Sequence, residues 1–182
     1  MTTSKQSPIR LDPVAVMDNA KLYLTICPGK KGSSYRYRST WNRDLDNDFR
    51  QIKDVYNVNV IFNLLEDHEF QQYNILDYFT KAANYGFTVY RYPIKDMNIP
   101  TSMIDFHNII VTIYQHMKSG HNVVVHCIGG LGRSGTIAAG LMVYVGYDPN
   151  VAINTIQRLR KSSIKRKSQQ TFVRKYAQSL VR

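Results

Sequence analysis

Acidic residues are missing from the last fifth of this chain. None of its 13 aspartates and glutamates follows Asp148, yet nine of its 24 basic residues do: Arg158, Arg160, Lys161, Lys165, Arg166, Lys167, Arg174, Lys175 and Arg182. The formal charge of +11 is therefore a property of the C-terminal segment, because the first 148 residues hold 15 basic residues against all 13 acidic ones. Such a face suits phosphorylated or acidic partners. It leaves nucleic acid open as a partner, although no aromatic-basic stacking motif accompanies these charges.

Cysteine is scarce too. Cys27 and Cys127 are the only two, a hundred positions apart, which gives no disulfide framework and implies a reducing compartment. No apolar run reaches membrane length; the longest, Ile137 to Gly146, is the size of a core helix. Met1 to Pro8 has no apolar stretch of the secretory kind, and no glycine follows Met1. These absences make a cytoplasmic or nuclear location the expectation. His68, His107, His116 and His121 show no metal-like clustering, so no metal and no cofactor is expected. At 182 residues the chain fits one domain with a real core. Residues 1–19 read as a partly disordered N-terminal segment and 20–182 as the folded domain, monomeric by default.

The chemistry concentrates in His126-Cys127-Ile128-Gly129-Gly130-Leu131-Gly132-Arg133-Ser134-Gly135. The apolar run Val123 to Val125 leads in and a helical segment, Thr136 to Tyr147, leads out. A strand, a glycine-rich turn and a helix start make an oxyanion cradle, because loop N–H groups converge and the helix N-terminus adds positive dipole. Arg133 adds a planar fork for two phosphate oxygens, and the same field favours the Cys127 thiolate. A nucleophile beneath a bound tetrahedral anion points to phosphoryl transfer through a cysteinyl-phosphate. Gly130, Gly132 and Gly135 also spell a dinucleotide-binding fingerprint, but that fold needs further strands, and nothing strand-like follows residue 148.

These residues resemble the signature of cysteine-dependent phosphatases of the dual-specificity class, most closely the kinase-associated phosphatase subgroup, which acts on cyclin-dependent kinases. The likeness runs from Tyr92-Pro93-Ile94-Lys95-Asp96 through the loop to Ala152-Ile153 and Phe172. It implies Cys127 as nucleophile, Arg133 as phosphate and transition-state ligand, and Ile128, Gly129, Gly130, Leu131 and Gly132 as the backbone cradle. Ser134 would stabilise the departing thiolate, or cap the helix, and His126 would brace the loop. The general acid would sit about thirty residues upstream, and Asp96, 31 positions before Cys127 in Pro93-x-x-Asp96-x-x-x-Pro100, fits. Asp105, its rival, suits the first turn of the next helix. Gln169 or Gln170 falls where relatives position a water.

The loop carries no lysine, which argues against a polyphosphorylated inositol ring. A phosphoprotein, phosphothreonine on a protein kinase among the options, is the favoured substrate. An RNA 5′-triphosphate or phosphoinositide phosphatase, and a phosphate-binding module without turnover, stay as alternatives. Arg36-Tyr37-Arg38 and Trp41 border either the cleft or ordinary surface and core, and Cys27 is a candidate redox partner protecting Cys127, with no distance between them set by the sequence.

The apolar periodicity predicts an α/β sandwich with four to five mostly parallel strands. Expected strands are Lys21–Ile26, Val58–Leu65, Phe87–Tyr92 and Asn122–His126, the last central. Helices are expected over Asp44–Tyr56, Glu66–Tyr85, Thr101–Ser119, Asp148–Arg160 and Ser168–Leu180, with Pro28–Tyr37 as a loop.

Overall fold

A computed structural model describes residues 1–34 and 39–180. Its frame is a five-stranded sheet in the order β2-β3-β8-β6-β7, formed by β2 (Asp12–Val14), β3 (Leu22–Thr25), β6 (Val58–Asn63), β7 (Thr88–Arg91) and β8 (Asn122–His126). β3, β8, β6 and β7 are parallel, and β2 runs antiparallel at the edge. β8 is the central strand, as its valines predict. Val123 and Val125 enter one core and Val124 the other, the two-residue alternation of a strand covered on both faces. The first core packs under α4 (Met103–Lys118), α5 (Gly132–Tyr144), α6 (Pro149–Leu159) and α7 (Lys167–Leu180). The second packs under α1 (Leu45–Arg50) and α3 (Tyr78–Asn84).

Three differences from the sequence reading have physical causes. α5 begins at Gly132, not Thr136, so Arg133 and Ser134 lie inside its first turn. The Asp44–Tyr56 helix is capped by the Asp44 side chain on the Asn47 N–H, but passes into a π-turn over Gln51–Val55. The segment read as a loop contains β4 (Lys31–Ser34), which pairs antiparallel with β5 (Ser39–Asn42), and β1 (Thr2–Thr3) joins β5 to close a small second sheet. Lys-Gly-Ser-Ser has no apolar alternation, so its pairing left no trace in hydropathy.

Residues 1–19 are tied to the main body. Ile9, Leu11 and Val14 are buried, and β2 forms the sheet edge. Pro13 is tolerated there because an edge strand can lack an N–H. Arg36-Tyr37-Arg38 lies outside the described residues.

Candidate active site

The C-terminal end of β8 delivers Cys127 to the floor of a cavity of about 70 Å³ lined by Asp96, Cys127, Gly129, Leu131, Gly132, Arg133 and Gln169, with Ser162, Lys165 and Arg166 on its wall. At about 10–15 Å³ per water-sized site, that space takes roughly five such atoms, the scale of one tetrahedral phosphate.

Cys127 is 4 % exposed. Burial alone would raise its pKa, yet the net shift is downward. The Arg133 charge, the N–H groups of Ser134 and Leu131 and the Ser134 hydroxyl favour the thiolate. Ser134 Oγ lies 3.6 Å from the sulfur; Leu131 stands at the helix N-cap, so the hydroxyl is spent on sulfur and not on capping. Cys27 is different in kind. It is fully buried, desolvation drives its pKa upward, and it belongs to the core on the opposite sheet face from Cys127.

The loop glycines divide between cradle and wall. Gly129, Leu131 and Gly132 line the cavity. Gly130 has φ 63°, and a Cβ there would sit 2.2 Å from the Thr25 carbonyl oxygen, so no side chain fits. Ile128 lies against the second core, and its carbonyl accepts from the Cys27 N–H at 3.2 Å.

Arg133 is held by a residue the sequence reading did not single out. Glu69, on α2 (Asp67–Gln72), accepts from both ends of the guanidinium, Nη1 at 2.7 Å and Nη2 at 2.9 Å. Nη1 also donates to the Ile94 carbonyl at 3.0 Å. Burial opposes the charge on Arg133, but the Glu69 pair and the Cys127 thiolate outweigh it. Glu69 is itself fixed, because its Oε2 accepts from the Glu66 N–H at 2.8 Å in a reciprocal capping box. The legible signal was Glu66-x-x-Glu69 directly after a strand. Arg133 Nε is buried with no acceptor among the described residues.

Asp96 stands on the loop between β7 and α4, 58 % exposed at its side chain, with Oδ1 3.0 Å from Arg133 Nη2. Its N–H donates to Glu66 Oε2. Asp105 sits instead in the first turn of α4 under the Ser102 cap, outside the cavity lining. Of the two glutamines, Gln169 is buried against Gly132 in the cavity and donates to the Asn98 carbonyl at 3.1 Å. Gln170 donates to the Ile164 carbonyl, bracing the wall. His126 is fully buried with Nε2 2.6 Å from the Tyr78 hydroxyl; desolvation pushes its pKa down to about 3, so it is neutral at working pH. Trp41 borders a separate groove beside the loop. Among the described residues no group of three or more His, Cys, Asp or Glu is arranged to hold a metal, and no helix is long and apolar enough to cross a membrane.

The chain belongs to the family described as "Polymorphic toxin system, DSP-PTPase phosphatase", which matches residues 36–147. It is thus a phosphatase of the dual-specificity protein-tyrosine class. Cyclin-dependent kinase inhibitor 3 of rat is 26% identical over 164 residues, 87% of this chain and 73% of the relative, and the human protein is 27% identical over 166 residues with the same coverage. Among solved structures, kinase associated phosphatase with its catalytic-site cysteine replaced by serine superposes with TM-score 0.84 at 23% identity, covering 96% of this chain and 97% of that one. PTPMT1 in complex with PI(5)P gives 0.71 at 21% identity, covering 90% and 93%.

Proposed function

We propose that this phosphatase hydrolyses phosphate monoesters on proteins, protein kinases among them, through a cysteinyl-phosphate on Cys127. The observation that carries the reading is one arrangement: the Cys127 sulfur on the cavity floor beside the fixed Arg133 fork, with the Asp96 carboxyl group across the cavity mouth.

In the first half-reaction the thiolate attacks phosphorus, the S–P bond forms and the P–O ester bond breaks. Asp96, entering as the carboxylic acid, gives its proton to the leaving oxygen. Its present contact, Arg133 Nη2, is a donor that a phosphate oxygen also uses, so phosphate entry frees the carboxyl for the leaving group. In the second half Asp96, now carboxylate, takes a proton from water. The water oxygen attacks phosphorus, the S–P bond breaks, and the thiolate leaves stabilised by Ser134. Inorganic phosphate is the product. Gln169, which lines the Gly132 side of the cavity, holds that water in this scheme. His126 takes no proton in this scheme; its ring braces the strand end against Tyr78.

The test uses para-nitrophenyl phosphate and a phosphopeptide, with Cys127→Ser abolishing both activities and acid-quenched wild type retaining phosphorus on sulfur. Asp96→Asn should slow alkyl esters about 10²-fold or more and aryl esters with good leaving groups far less. Turnover surviving in Cys127→Ser, or equal slowing of both esters in Asp96→Asn, refutes the scheme. Preference for PI(5)P or triphosphate-ended RNA over phosphopeptides refutes the protein-substrate assignment.

A further inference from the structure

Beside the active cavity lies a second, larger groove of about 390 Å³, lined by Arg10, Asp12, Trp41, Leu131, Arg160 and Lys161 among others. Leu131 faces both spaces, so one turn of the phosphate loop is the ridge between them. Arg160 ties the groove to that loop through Nη2 to the Gly129 carbonyl at 3.3 Å.

The groove's charges do not cancel. Asp12 is its one carboxylate, and both Arg10 and Arg160 pair with it. Arg43, at the groove's floor, is satisfied by Asp48. Lys161 is exposed, and no acidic partner reaches it among the described residues. One carboxylate therefore faces three cations. Two further donors, Trp41 Nε1–H and Arg160 Nε–H, are buried without an acceptor among the described residues. Buried donors are almost always paired, and the chemistry that would pair these and neutralise the excess charge is an anionic oxygen.

We propose that this groove is a subsite for a second acidic group, a carboxylate or phosphate, on the same phosphopeptide whose phosphate enters the Cys127 cavity. The proposal rests on the phosphoprotein reading above and sharpens it to acidic or multiply phosphorylated segments. An extended peptide advances about 3.3 Å per residue, so the second acidic side chain belongs a few residues from the target. The groove's lysine and arginines act on binding, so they work through KM and not through the bond-breaking step.

The experiment compares three substrates on the full chain: para-nitrophenyl phosphate, a phosphothreonine peptide with alanines two to four residues on either side, and matched peptides with glutamate or phosphoserine there. The enzyme is wild type or Arg10→Ala/Lys161→Ala, both exposed sites; Arg10 is 83 % exposed, and Asp12 keeps Arg160 when Arg10 is gone. Wild type should prefer the acidic peptides by about fivefold to tenfold in kcat/KM, lost with added salt as exposed charge pairs are screened. The double variant should lose that preference, with para-nitrophenyl phosphate and the alanine peptide unchanged. Equal rates on acidic and alanine peptides overturn the subsite while leaving the phosphatase reading intact. Loss of all activity toward peptides alone, acidic or not, overturns it as well. Failure of wild type to turn over para-nitrophenyl phosphate would instead sink the catalytic reading on which it depends.

Discussion

Glu69 offers the sharpest test of how this site is built. Its carboxylate and the Arg133 guanidinium are 4 % and 1 % exposed and meet through two short bonds. Removing one partner of such a pair leaves a buried charge uncompensated and costs about 3–5 kcal/mol. Arg133 keeps three other acceptors, the Ile94 carbonyl and Asp96, each at 3.0 Å, and the Leu64 carbonyl at 3.4 Å. Glu69→Gln also retains one amide oxygen. The loss should thus fall below that range, at about 2–3 kcal/mol. At about 2–4 °C per kcal/mol for a domain of this size, the melting temperature drops roughly 5–10 °C.

Activity should fall with it, because the guanidinium that must meet phosphate in one plane is no longer clamped. A misplacement of about 1 Å costs on the order of 10²-fold, and the loss should appear in kcat/KM for para-nitrophenyl phosphate and in weaker inhibition by inorganic phosphate. Asp67→Asn on the same helix is the control. Its pair with Arg91 is solvent-exposed, so neither readout should move measurably. The measurements are thermal melts and steady-state kinetics on folded protein. If Glu69→Gln melted within a degree of wild type and kept its kcat/KM, the clamp would be incidental and the argument for a preorganised fork would fail.

Three more outcomes follow from the same geometry. Gly130→Ala forces a Cβ into the Thr25 carbonyl at φ 63°, and its kcat should drop at least about 10²-fold; a crystal structure with an unmoved loop and normal kinetics would contradict this. Ser134→Ala removes a hydroxyl that lowers the Cys127 pKa, so the pH at which iodoacetate alkylation rises should move upward, and burst kinetics should show the cysteinyl-phosphate accumulating. His126 has its folded pKa near 3 against an ordinary 6.5. The unfolded chain therefore binds a proton that the native state refuses between those values, and stability should fall as pH drops below about 6.5, by up to about 1.4 kcal/mol per unit from this group. The slope of melting temperature against pH should flatten in His126→Gln.

The central strand, the loop and Arg133 could be read from sequence because each is a local matter. Val123 to Val125 announces burial on both faces, and the glycines announce a backbone that must come close to something. Asp96 was reachable through its spacing from Cys127. Glu69 was not, since its partner is 64 residues away and only the capping-box pattern marked it. β1, β2, β4 and β5 were unreadable for a different reason: they are two to four residues long, lie at an edge or in the small second sheet, and carry no sustained apolar alternation.

The charge asymmetry that opens the sequence resolves differently from what composition suggests. The basic C-terminal residues do not act as one face. Arg160 is consumed by Asp12 and the phosphate-loop carbonyl of Gly129, Arg174 by the Asn150 side chain, while Lys165 and Arg166 stand at the active cavity and Lys161 at the neighbouring groove. The stretch that carries them, between α6 and α7, is held by two glutamine amides, those of Gln157 and Gln170, on the Ile164 carbonyl. It includes Ser162 and Ile164 at positive φ, a conformation that surrounding contacts must maintain. Ile164 pays for its place by packing under Gly135, directly behind the phosphate loop. On a free helix face the same cations would form one continuous positive surface, whereas here Lys165 and Arg166 on one side of Leu131 and Lys161 on the other flank two separate concavities.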